Sequence, residues 1–102
     1  MKTFLLALSI AFSIVSCSTQ NATTNNNDGS SYEKAIVIKA SNEMLGVGKE
    51  YEWIKNNYPN SKPVSQSSTK YNGRYYDVIK IKTSDGQEKS IYFDINNFYG
   101  KF

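Results

Sequence analysis

The chain has 102 residues, room for one domain, with 39% hydrophobic residues, 21% charged residues and a formal net charge of +3. It holds one cysteine and no histidine. That inventory excludes a disulfide scaffold, a His/Cys metal centre, a Ser-His-Asp triad and a Cys-His dyad.

Lys2 is followed by twelve residues without a charge, Phe4 to Val15, rich in Leu, Ile, Ala and Phe. Such a run suits the apolar centre of a signal peptide and is short for a bilayer span. Ile14-Val15-Ser16-Cys17 resembles the lipobox of bacterial lipoproteins. The resemblance implies cleavage after residue 16 and a diacylglycerol on the Cys17 sulfur, making residues 1–16 a signal peptide. More than one acyl chain makes such an anchor stable, at about 0.8 kcal/mol per buried CH2. By similarity to enterobacterial lipoproteins, Ser18 after the cysteine favours the outer membrane. The expected address is therefore the bacterial cell envelope, lipid-anchored. Without Lys2 the formal charge is +2, too mild to argue for nucleic acid.

Ser18 to Ser31 (STQNATTNNNDGSS) holds no aliphatic residue larger than Ala22. Such a stretch buries too little surface to offset its ordering entropy, so residues 17–31 read as a lipidated cysteine and a disordered tether. The folded unit is expected over residues 32–102. Of the 27 hydrophobic residues from Ser31 onward, twelve are aromatic and eleven are Ile or Val, with Leu45 alone as leucine, which favours strands.

Glu33 to Ala40 (EKAIVIKA) is the first expected strand, with a short β-branched run at its centre. Ser41 or Asn42 can then cap a helix. Met44, Val47, Tyr51, Ile54 and Tyr58 recur on one helical face, with Lys49, Glu50, Glu52, Lys55 and Asn56 opposite. Gly46 and Gly48 weaken the first turns, so regular helix is expected from about Val47. Pro59 ends it, because helical geometry is disfavoured at the residue before proline.

Three strands should form a meander. Asn72-Gly73 signals a two-residue hairpin, pairing Tyr71 with Arg74, Ser68 with Asp77, Gln66 with Ile79 and Val64 with Ile81. At Ser84-Asp85-Gly86 a two-residue loop would set Asp77 against Asp94 and turn Ile79 and Ile81 away from Ile91, Phe93 and Ile95. A three-residue loop with left-handed Gly86 instead pairs Thr83 with Gln87, Ile79 with Ile91, Asp77 with Phe93 and Tyr75 with Ile95. It also sets Lys82 opposite Glu88 and Tyr76 opposite Asp94, and hydrophobic pattern selects this register. The expected architecture is α+β, in the order β-α-β-β-β, with one helix on a mostly antiparallel three- to four-stranded sheet. Asn96 to Gly100 reads as a closing turn that tucks Phe98 beneath the sheet or helix. The pattern YDVIKIKTSDGQEKSIYFDINNFYG, with KEYEWIKNNYP before it, resembles a group of small uncharacterised bacterial envelope or secreted proteins. The resemblance covers most of residues 46–102 and implies a fold without an assigned activity.

Candidate chemistry is sparse. Asp77 falls on the helix-facing side near Ser68, Gln66 and Tyr75, where a buried carboxylate must be hydrogen-bonded, paired or shifted in pKa. It either lines a small polar pocket or serves structurally, capping backbone or pairing with Lys70 or Arg74. Asp94 lies on the opposite face, so the two carboxylates cannot work as a glycosidase pair. Trp53 at the helix edge, with Tyr76, Lys80 and Tyr92 on the other face of the meander, forms a candidate contact surface; the aromatics otherwise build the core. No cofactor and no metal site are expected, since neither a phosphate loop, a dinucleotide fingerprint nor a run of calcium ligands occurs. The expected function is a non-enzymatic, membrane-anchored module that binds an envelope protein. The alternatives are a secreted inhibitor or a small-ligand- or glycan-binding module presenting concave aromatic surface, and an enzyme built on Asp77 with a Tyr or Ser.

Overall fold

A computed structural model of the chain describes residues 27–102. The apolar N-terminal run, the lipobox-like segment and Cys17 lie outside the described residues. Five elements follow: β1 (Ile36–Val37), α1 (Glu43–Asn57), β2 (Lys62–Tyr71), β3 (Arg74–Lys82) and β4 (Glu88–Asp94). They form the expected α+β unit in the order β-α-β-β-β. The sheet order is β1-β4-β3-β2, with β1 parallel to β4 and the other neighbours antiparallel. No helix among the described residues is long and apolar enough to cross a membrane.

The meander follows from its turns. Asn72 (φ 51°) and Gly73 (φ 77°) both take the left-handed geometry of a two-residue hairpin turn, and Tyr71 pairs with Arg74. At the second turn the Thr83 amide donates to the Gln87 carbonyl at 2.7 Å, and Gly86 sits at φ 89°. The resulting register pairs Ile79 with Ile91, Asp77 with Phe93 and Lys82 with Glu88, as the hydrophobic pattern requires. The ion pair itself is diagonal, Lys80 to Glu88 at 3.9 Å. One expected pairing fails. Pro63 lies opposite Ile81 and Ser65 opposite Lys80, so Val64 is bulged out between them and is 52% exposed. Pro63 has no N–H for the ladder, and a bulge is where a strand tolerates that loss.

The first strand is shorter than the expected Glu33–Ala40. Ala35 and Ile38 are both buried, three residues apart, which the two-residue period of a strand cannot satisfy. Only Ile36 and Val37 pair with Phe93 and Asp94. The chain also joins the domain before Tyr32, correcting the expected tether boundary. The Gly29 carbonyl accepts the Tyr92 amide at 2.8 Å, and the Gly29 amide donates to the Lys34 carbonyl at 2.7 Å. The polar composition of residues 28–31 hid this role, which is carried by backbone.

The helix starts at Glu43, earlier than expected, with Asn42 as its cap: the Asn42 Oδ1 accepts the Leu45 amide at 2.9 Å. The closing turn holds that end. The Glu43 carboxylate accepts the Gly100 amide at 2.8 Å, and the Glu43 amide donates to the Lys101 carbonyl at 2.7 Å. The buried face is Gly46, Glu50 and Ile54, whereas Met44 is 82% exposed. Gly46 explains the rotation. A Cβ there would stand 2.4 Å from Phe98 Cζ, so the bare backbone is the seat of the Phe98 ring. Phe98 joins Ile38, Ile54, Ile79, Ile81, Ile91, Phe93 and Ile95 in one core between helix and sheet.

Candidate functional site

Asp77 sits on β3 between Ser68 of β2 and Phe93 of β4, facing the helix, and is 2% exposed. The Ser68 hydroxyl donates to its Oδ1 at 2.5 Å. Gln66, two residues along the same strand, accepts the Tyr51 hydroxyl on its Oε1 at 2.7 Å. Hairpin register and helix position therefore bring Asp77, Ser68 and Gln66 together as expected. Asp77 pairs with neither Lys70 nor Arg74. Arg74 instead meets Asp94 at 3.1 Å on the other face.

The residue that sequence reasoning misplaced is Glu50. Counted among the solvated positions of the helix, it is fully buried and directed at the sheet. Neither carboxyl oxygen meets a hydrogen-bond donor among the described residues. Burial pushes its pKa up to about 10, and the neighbouring Asp77 carboxyl, to which a protonated Glu50 can donate, adds to the rise, as does Glu43 to a smaller degree. Glu50 therefore carries a proton at neutral pH. The available signal was its place midway between Gly46 and Ile54 at four-residue spacing, on the stripe that Phe98 selects.

This acid pair is sealed between helix and sheet, so it offers no face to a substrate. Its geometry suits a structural role, an internal polar contact that fixes how helix and sheet meet. Asp94 stands apart. Burial alone would raise its pKa, but the Asn96 side chain and amide and the Arg74 guanidinium together hold it below the usual carboxylate value.

The expected aromatic contact surface is largely covered. The ring of Tyr32 stacks on Tyr71 at 4.1 Å and meets Tyr76 and Tyr92 edge-on at 5.0 and 4.7 Å. The Tyr32 ring thus lies over the non-helical face of the meander. Tyr76 is 7% exposed and Tyr92 half-buried, while Lys80 stays at the surface. Trp53 is also half-buried, edge-on to Phe93 at 5.8 Å and beside Tyr58. These rings pack on one another, as a leucine-poor domain needs, and not into an open binding face.

What remains open is the β2 edge of the sheet. All residues from Lys62 to Ser68 are exposed, and no strand lies beyond β2 among the described residues. A hollow of about 170 Å³ opens beside its C-terminal half, lined by Ser68, Thr69, Lys70, Tyr75 and Tyr99. Lys70 Nζ stands 5.5 Å from the Tyr75 ring centroid at that hollow, and Tyr75 stacks on Tyr99 at 3.9 Å. No group of three or more His, Cys, Asp or Glu residues among the described residues could hold a metal ion. No protein-family model, no curated protein and no solved structure matches the chain.

Proposed function

We propose that this chain is a lipid-anchored, non-enzymatic protein of the bacterial envelope that binds another protein through the free edge of β2. The observation that carries the reading is the contrast between the two edges of the sheet. Natural proteins blunt sheet edges with very short strands, charges, prolines or bulges, because an open row of N–H and C=O groups recruits other chains. The β1 edge is blunt: β1 is two residues long, and Gly29 closes the adjoining stretch of β4 at Tyr92. β2 is ten residues long and guarded only toward its ends, by Lys62, Pro63 and the bulge at Val64, and by Lys70. Ser65 to Thr69 between them carries neither charge nor proline.

The anchor reading rests on Lys2, the Phe4–Val15 run and Cys17. In the sequence ten residues separate Cys17 from Asp28, which would tie the domain close to the bilayer. The chain enters at the β4 edge, beside Tyr92, and β2 lies two strands further, about 10 Å away. A domain tied close to the bilayer thus keeps its open edge on the side away from its attachment.

A photo-reactive amino acid at Ser65, compared with one at Glu52 on the exposed helix face, tests this in the lipidated full chain in its own host. One discrete envelope-protein adduct from position 65 and none from position 52 is expected. Equal labelling from both positions, or none from either, overturns edge docking. Cys17→Ala should move the protein from the membrane to the soluble fraction; unchanged membrane retention overturns the anchor.

A further inference from the structure

We infer that the segment docking on β2 is an extended acidic peptide, added as a fifth strand of the sheet; this rests on the edge-docking reading above. The backbone sets where it lies. In an antiparallel ladder, alternate residues exchange both bonds with the same neighbour. With Tyr71 and Arg74 closing the hairpin, Thr69 and Ser67 bond inward to Tyr76 and Val78. Lys70, Ser68 and Gln66 therefore turn their N–H and C=O groups outward. The bulge at Val64 breaks the alternation further back, so the docking stretch is Gln66 to Lys70.

Charge sets what lies there. From residue 60 to residue 84 the chain carries Lys62, Lys70, Arg74, Lys80 and Lys82 against a single carboxylate, Asp77, which is buried. Arg74 is held by Asp94 and Lys80 reaches Glu88. Lys62, Lys70 and Lys82 form no ion pair among the described residues. Moreover Lys62 lies directly opposite Lys82 across the β2–β3 ladder, a like-charge pairing that destabilises a sheet by itself. A carboxylate on the part of a partner chain that continues past the bulge would relieve that repulsion, as one opposite Lys70 would meet its free ammonium. A second copy of this chain would instead bring the same lysines together.

The hollow beside Ser68 and Lys70 supplies a place for one partner side chain. Strand addition takes affinity from main-chain hydrogen bonds and specificity from such pockets for alternate side chains. Two of its polar donors are engaged, the Ser68 hydroxyl by Asp77 and the Thr69 hydroxyl with Tyr32. The one charged group of its lining is the Lys70 ammonium, which selects a carboxylate.

The test uses the full chain, labelled with 15N, and two synthetic nine-residue peptides. One alternates glutamate with valine; the other has glutamine in place of each glutamate. The glutamate peptide should shift and protect the amides of Gln66, Ser68 and Lys70 while leaving those of Ile36 and Val37 unchanged. It should bind roughly tenfold tighter than the glutamine peptide, an advantage that shrinks as salt rises. Lys70→Glu should remove that advantage. Equal binding of both peptides, with the same amides protected, overturns the acidic partner and leaves edge docking standing. Protection by neither peptide overturns both. Concentration-dependent protection of these amides without peptide identifies a second copy as the occupant and overturns the inference.

Discussion

Glu50→Gln should stabilise the domain at neutral pH, and the size of the effect follows from where its proton resides. In the unfolded chain Glu50 titrates near 4.5; in the folded chain burial against the sheet, beside Asp77, raises it to about 10. Between these values the folded state binds one more proton than the unfolded state. Its stability is therefore complete below about 4.5, declines by about 1.4 kcal/mol for each pH unit above that, and levels off above 10. At pH 7 the accumulated cost is about 3 kcal/mol, a large part of the 5–15 kcal/mol typical of a whole domain. Glutamine keeps the shape, removes the titration and retains a donor for Asp77. Urea unfolding of wild type and variant between pH 4 and 8 is the assay. The curves should nearly coincide at pH 4 and separate by about 2–3 kcal/mol at pH 7, the variant more stable. Parallel curves, or a variant less stable by a constant amount, would refute a buried protonated Glu50.

The two helix glycines should respond with opposite signs. Gly48→Ala, with nothing within 4 Å of the added Cβ, should gain about 0.5–1 kcal/mol from helix propensity alone. Gly46→Ala drives a methyl into the Phe98 ring and should lose about 1–3 kcal/mol despite the same propensity gain, both read by thermal melting. Tyr32→Ala should cost about 2–4 kcal/mol and sharply speed hydrogen exchange at the Tyr92 amide, since its ring ties the first described segment to the sheet. Asp94→Asn should cost about 1 kcal/mol at pH 7 in urea unfolding. Because the folded Asp94 titrates below 3.8, its contribution is present above that value and lost as pH falls through the folded pKa, so wild type and variant should converge in acid.

The legible parts of this fold were those governed by two-residue periodicity and turn chemistry. Asn72-Gly73 fixes the first hairpin register, which places Asp77 beside Ser68, and the hydrophobic pattern flanking Ser84-Asp85-Gly86 fixes the second. The helix face was misread because its stripe is set by a ring from elsewhere. Phe98 docks on the bare backbone of Gly46, and Glu50, one turn on, is carried inward with it. Helical periodicity counts apolar side chains, and here the deciding residue has none. The cover over Tyr76 was hidden for a related reason, because the segment that supplies it is polar and is held through Gly29 backbone and a single ring, Tyr32. The open edge of β2 depends on sheet order, and the position of β1 beside β4 is a long-range pairing that no local pattern encodes.

The acid pair and the open edge are two sides of one strand. β2 reads KPVSQSSTKY and is polar on both faces, and a strand of that kind has little hydrophobic pattern to hold its register. Its register is held instead by the hairpin turn at one end and by two inward hydrogen bonds, Ser68 to Asp77 and Tyr51 to Gln66. A buried polar contact serves specificity in this way when each alternative pairing would leave it unsatisfied. A one-residue slip of β2 would still bring a hydroxyl, Ser67 or Thr69, opposite Asp77, but it would put a serine where Gln66 accepts the Tyr51 hydroxyl. That penalty keeps Gln66, Ser68 and Lys70 aligned, and the same alignment presents their outward backbone groups in a fixed row. In the proposed docking the sealed carboxyls would thus act on an incoming chain only through the strand they hold in place.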